Sequence, residues 1–127
     1  MKRFIVSTVQ SFHEDGVFTI GLGDHPENPS NFIIITRLDD DDNATVDDGI
    51  GLLADEAKYE RSNAIEKITC HATRLEVIVK PEFAEFFGSR VHVVEFGQEG
   101  DCSLDQTSAL KGALQAMFFG SHVEISL

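Results

Sequence analysis

The residues of this chain with chemistry to offer are two cysteines, five histidines and a dense run of aspartates. Cys102 stands directly before Ser103, where the amides that open a helix would favour a thiolate nucleophile. Carboxylates nearby act the other way, and a turn residue is the plainer reading. Cys70 belongs to no C-x-x-C pair, so neither a redox motif nor a zinc knuckle is spelled out. His13, His25, His71, His92 and His122 fall in different segments with no i, i+4 spacing, and no metal is assigned to them. A Gly-x-Ser-x-Gly elbow is missing, and Gly21-x-Gly23 lacks the third glycine of a dinucleotide fingerprint and opens a loop. The expectation is a protein that is not an enzyme and has no cofactor.

The aspartates begin like a calcium loop, with Asp39, Asp41 and Asn43 at alternate positions. The pattern then fails, because Ala44 stands where the sharp turn needs glycine and Ile50 where a bidentate Glu should close the site. Asp39, Asp40, Asp41, Asp42, Asp47, Asp48, Asp55 and Glu56 precede Lys58 with no Lys or Arg among them. Self-repulsion keeps such a stretch extended and solvated. These residues are the candidate partner-binding set, and a solvated loop or an acidic docking surface are the two readings of it. Interfaces concentrate their energy in a few aromatic or Arg anchors, so Tyr59, Phe32 and Arg37 compete with the aspartates.

The whole chain shares the bias of that segment, with 22 acidic residues against 10 Lys and Arg and a formal net charge of -12. A protein that grips phosphates needs clustered cations, so nucleic acid is an unsuitable partner and a basic protein surface a suitable one. The longest apolar run is Phe32-Ile33-Ile34-Ile35, far short of the roughly 18 residues a spanning helix needs. The run after Met1-Lys2-Arg3 is too short for a secretion signal. A cytoplasmic protein without a membrane partner, its cysteines reduced, is expected.

The 127 residues suit one domain, 1–127, and ten Phe supply a core even though Trp is absent. Arg3 to Val9 and Val17 to Leu22 read as strands around an Asp15-Gly16 hairpin turn. A proline-rich loop from Asp24 to Asn31 leads into Phe32 to Leu38, whose nearly continuous apolar character predicts a central strand covered on both faces. Ala64 to His71 and Leu75 to Lys80 form another antiparallel pair. Pro81 opens and Gly88 closes a two-turn helix over Phe83, Phe86 and Phe87. Arg90 to Phe96 is a strand, and Ser103-Leu104-Asp105-Gln106 fits a capping box before the apolar stripe Leu110, Ala113, Leu114, Met117 and Phe118. The alternating tail from His122 to Leu127 could add an edge strand. The fold class is α+β: a mostly antiparallel sheet of about six to seven strands, one main C-terminal helix and one short helix.

Several of these stretches resemble a known family. They are Phe18-Thr19-Ile20-Gly21-Leu22, Pro29-Ser30-Asn31-Phe32-Ile33-Ile34-Ile35-Thr36-Arg37 before the acidic loop, Ala64-Ile65-Glu66-Lys67-Ile68, Leu75-Glu76-Val77-Ile78-Val79, and Val91-His92-Val93-Val94-Glu95-Phe96 before a helix. Over roughly Phe4 to Phe119 the order of elements is similar to that of the bacterial polymorphic-toxin immunity proteins of immunity protein family ten. The Asp39 to Gly49 loop is more acidic than the family pattern, and the tail after Gly120 is extra. The resemblance implies a cytoplasmic antidote that binds a cognate toxin protein and blocks its action. The alternative is a small structural or regulatory module that self-associates, as a homodimer, through an edge strand such as Val123 to Leu127.

Overall fold

The computed structural model describes residues 2–25, 27–38, 46–55, 57, 59–71, 73–96 and 104–127, with the backbone alone at Asp47 and 104–107. Its strands are β1 (Lys2–Ile5), β2 (Thr8–Glu14), β3 (Val17–Gly23), β4 (Phe32–Leu38), β5 (Ile50–Ala54), β6 (Arg61–Ser62), β7 (Ile65–Cys70), β8 (Arg74–Val79), β9 (Val91–Glu95) and β10 (Glu124–Ser126). One α-helix, α1 (Leu104–Phe118), precedes β10. The α+β class and the main C-terminal helix are as the sequence predicts. Among the described residues the strands number ten and divide into two five-stranded sheets.

The antiparallel sheet has the order β2-β3-β4-β5-β6. Its first hairpin turns on Asp15 and Gly16 at φ 52° and 77°, the left-handed pair that the Asp-Gly dipeptide accommodates and that matches strand twist. The mixed sheet has the order β1-β9-β8-β7-β10, with β1 parallel to β9 and β10 parallel to β7. Between β1 and β2 the chain steps from one sheet to the other. The Val6 N–H still donates to the Glu95 carbonyl at 2.9 Å, whereas the Ser7 N–H donates to the Gly23 carbonyl at 2.9 Å. The predicted single strand from Arg3 to Val9 is therefore two strands in different sheets.

Side chains alternate across each strand, and the inward set of both sheets forms one buried cluster. It joins Ile20, Leu22, Ile33, Ile35 and Leu52 of the antiparallel sheet to Phe4, Ile68, Leu75, Val77 and Val94 of the mixed sheet. The predicted helical stripe of Leu110, Ala113, Leu114, Met117 and Phe118 is buried in the same cluster, with α1 lying against β2 and β3. Arg37 holds the far end of this helix. Its Nη1 donates to the carbonyls of Ala116 at 3.0 Å, Met117 at 3.1 Å and Phe119 at 2.8 Å. These are orphan acceptors at the negative end of the helix dipole, and a cation there contributes roughly 1–2 kcal/mol.

Two predicted elements differ. The segment after Lys80 is a single 3-10 turn, Pro81–Phe83, running into further turns that Gly88 closes at φ 79°. So short a helix has little to offset its nucleation cost, and Phe83, Phe86 and Phe87 are placed by ring packing instead. The strand β4 is buried on one face only, at Ile33 and Ile35, whereas Phe32, Ile34 and Thr36 are half-buried on the other. The Ser103 cap, the Gln106 side chain and Cys102 lie outside the described residues.

Candidate functional site

Register assigns the uncovered face of the antiparallel sheet residue by residue, because partners opposite one another point the same way. The outward set is Thr8, Gln10, Phe12 and Glu14 of β2, Val17, Thr19, Gly21 and Gly23 of β3, Phe32, Ile34, Thr36 and Leu38 of β4, Gly51 and Leu53 of β5, and Ser62 of β6. No Lys or Arg occurs in it. Both cations in these strands point inward, Arg37 to the helix terminus and Arg61 to an aromatic cluster. Phe12 and Leu38 are exposed at 47% and 44%.

Two concavities lie on this face among the described residues. One, of about 310 Å³, is lined by Thr8, Gln10, Gly21, His25, Phe32 and Ile34, with Pro29 on its lip. The Asp24 to Asn31 loop builds that lip by folding back over the sheet, where Pro29 packs on Gly23. Asp24 pins the loop: its Oδ1 accepts from the Ser30 and Asn31 amides at 3.0 and 3.2 Å, and its Oδ2 from the Asn31 side-chain amide at 2.9 Å. The Asn31 amide holds the Asp24 carboxyl below its ordinary value, since each of these donors favours the charged form. Nδ1 of His25 accepts from the Glu27 and Asn28 amides at 3.2 and 3.1 Å, fixing the ring at the rim.

The second concavity, of about 320 Å³, is lined by Val17, Thr36, Leu38, Asp48, Gly51, Glu60 and Ser62. Glu60 lies across Gly51, so close that a side chain on residue 51 would collide with it, and its carboxylate accepts from the Thr36 hydroxyl. Acidic groups therefore border the face at Glu14 on the hairpin and at Asp48 and Glu60 on the opposite edge.

The predicted acidic set is only partly gathered here. Asp48 reaches the face, where its Oδ1 accepts from the Asn63 side chain at 3.4 Å. Asp47 shares the 3-10 turn Asp47–Gly49 with it. Asp55 is drawn into the scaffold: it pairs with Lys2, each side chain 14% exposed, and its Oδ1 accepts from the Phe32 amide at 3.2 Å. Asp39, Asp40, Asp41, Asp42 and Glu56 lie outside the described residues. Of the proposed anchors, Phe32 walls the first concavity, Arg37 serves the helix, and Tyr59 stands 56% exposed with its ring edge-on to Phe86 at 5.1 Å. The Arg61 guanidinium lies 5.1 Å from the Phe83 and Phe86 rings and 5.8 Å from Tyr59.

Sequence reasoning missed Glu60 and Gly21. Glu60 follows the acidic cluster after Ala57, Lys58 and Tyr59, and only the fold places it over Gly51 of β5. Gly21 had a signal, a glycine inside an apolar strand, which marks a bulge or a close approach. Cys70 offers no reactivity, being 3% exposed with burial raising its thiol pKa against a weaker pull from Lys111. Among the described residues no group of three His, Cys, Asp or Glu comes together to hold a metal, and no helix is long and apolar enough to cross a membrane. Compared with family models and with curated proteins, the chain matches none of either.

Proposed function

We propose that this chain is an immunity protein, an antidote that binds a cognate bacterial toxin domain with a basic surface and neutralises it in the cytoplasm without catalysis. The observation that carries the reading is the outward face of the antiparallel sheet. It carries Phe12, Phe32, Ile34, Leu38 and Leu53 uncovered among threonines and glycines, has carboxylates at its margins and is free of Lys and Arg in its strands. Uncovered apolar residues offer a partner surface to bury, and one sign of charge accelerates encounter with the opposite sign. The resemblance to immunity protein family ten supports the same reading.

The test is co-expression with the product of the adjacent reading frame, followed by purification through a tag on this chain. A stoichiometric complex, together with loss of the neighbour's toxicity, is the expected result. A harmless neighbour that does not co-purify would sink the proposal.

A further inference from the structure

Three glycines lie on the outward face of the antiparallel sheet, and two have evident structural reasons. A Cβ on Gly23 would stand 3.2 Å from the Pro29 ring, and one on Gly51 would collide with the Glu60 side chain. Gly21 is different. An added Cβ would meet nothing within 4 Å, and its backbone is not in the left-handed region. Glycine inside a strand weakens it, and neither conformation nor crowding requires one here. What the missing side chain does is leave open the floor of the 310 Å³ concavity, beside Ile34 and Phe32.

The next feature along β4 is polar. Thr36 lies two residues beyond Ile34 on the same face, roughly 7 Å away, and its hydroxyl bonds the Glu60 carboxylate. A partner strand laid along β4 repeats its side chains at that same spacing. We infer that the Gly21 notch is a socket for a large apolar side chain of the partner, carried on an extended segment whose Lys or Arg two residues away meets Glu60. This rests on the reading that the face receives a basic protein. It specifies what such a partner must present, an apolar anchor and a cation at alternate positions.

The probes are two synthetic peptides, acetyl-Thr-Phe-Thr-Lys-Thr-Lys-amide and the same peptide with Ala for Phe, titrated into the full chain while backbone amide NMR shifts are followed. The Phe peptide should move the Gly21, Gly23, Ile34 and Thr36 amides and bind about tenfold or more tightly than the Ala peptide, as expected for burying one aromatic ring. Gly21→Leu should remove that preference without lowering the melting temperature, and Glu60→Gln should weaken both peptides while keeping the preference. Equal binding of the two peptides, unchanged discrimination in Gly21→Leu, shifts centred elsewhere, or no shifts at millimolar peptide would each overturn the socket. Should Gly21→Leu prove unstable, Gly21→Ala, adding only a methyl group to open space, serves as the smaller step with the same readout. A toxin that binds Gly21→Leu as tightly as the natural chain would refute the socket and leave the antidote reading standing. Localised peptide binding beside a harmless neighbour would do the reverse.

Discussion

The two sheets turn very different faces to the outside. On the mixed sheet, cations and carboxylates answer one another across and along the strands: Arg3 lies 3.6 Å from Glu95, Lys67 3.6 Å from Glu124, and Arg74 3.4 Å from Glu76 of the same strand. Val93 at the middle of that face is 1% exposed, and Ile5 at its edge is 54% exposed. On the antiparallel sheet the strands contribute carboxylate and no cation, and Phe12, Ile34, Leu38 and Leu53 remain exposed or half-buried. A face that pairs its own charges has its electrostatics settled by folding. One that carries a single sign of charge is, on the reading proposed above, open to a partner of the opposite sign.

The largest effect should come from reversing charge on one face at a time. Glu14→Lys with Glu60→Lys should slow association with a basic toxin about tenfold or more at low salt and flatten its salt dependence in stopped-flow measurements. The matched pair Glu76→Lys and Glu95→Lys should leave the association rate unchanged within about twofold and lower stability by less than about 1 kcal/mol per broken pair. Equal rate losses from both pairs would reduce the comparison to net charge alone.

A smaller effect distinguishes the apolar residues. Val93→Thr puts a hydroxyl under the ion pairs of the mixed sheet and should cost about 1–2 kcal/mol in chemical denaturation. Ile34→Thr, on the half-open face, should cost less than about 1 kcal/mol in stability yet weaken the complex. If Ile34→Thr proves the more destabilising of the two, the antiparallel face is already covered by folding.

The smallest effect concerns the loop at the edge of the notch. The Asp24 carboxyl titrates lower in the folded chain than its ordinary value of 3.8, so its contribution is present above that value and fades as pH falls through the lower folded one. The Ser30 and Asn31 amide shifts should follow this titration with a midpoint below 3.8, and Asn31→Ala should raise the midpoint toward it. A midpoint unmoved by Asn31→Ala would leave the loop pinned by something other than this pair.

The elements that face both core and water were legible in the sequence. Leu75, Val77 and Val79 alternate, the stripe from Leu110 to Phe118 has helical period, and Asp15-Gly16 names its own turn. What escaped was the short and the non-local. In β5 the run Ile50-Gly51-Leu52-Leu53-Ala54 carries no alternation, and β6 is two residues long with only Ser62 outward. The parting of the sheets at Val6 and Ser7 has no local mark, since both residues continue a strand. The Phe32 to Ile35 run is the instructive failure. Uninterrupted apolar character predicted cover on both faces, and folding supplies cover on only one, which is why the excess is informative. In the acidic set, composition found the charge but not its use, as Asp55 shows by pairing with Lys2 at the core's margin.

The crossing at Val6 and Ser7 also sets a timetable. As the chain emerges from the ribosome, β2 through β6 meet their neighbours in order, so the antiparallel sheet can assemble within the first 62 residues. The residues just before it must wait, because β1 pairs with β9 at Val91–Glu95. Phe4 and Val6, destined for the interior, therefore wait longer for the strands that enclose them than the antiparallel sheet waits for its own. The strand β1 is closed only once β9, far along the sequence, has been made.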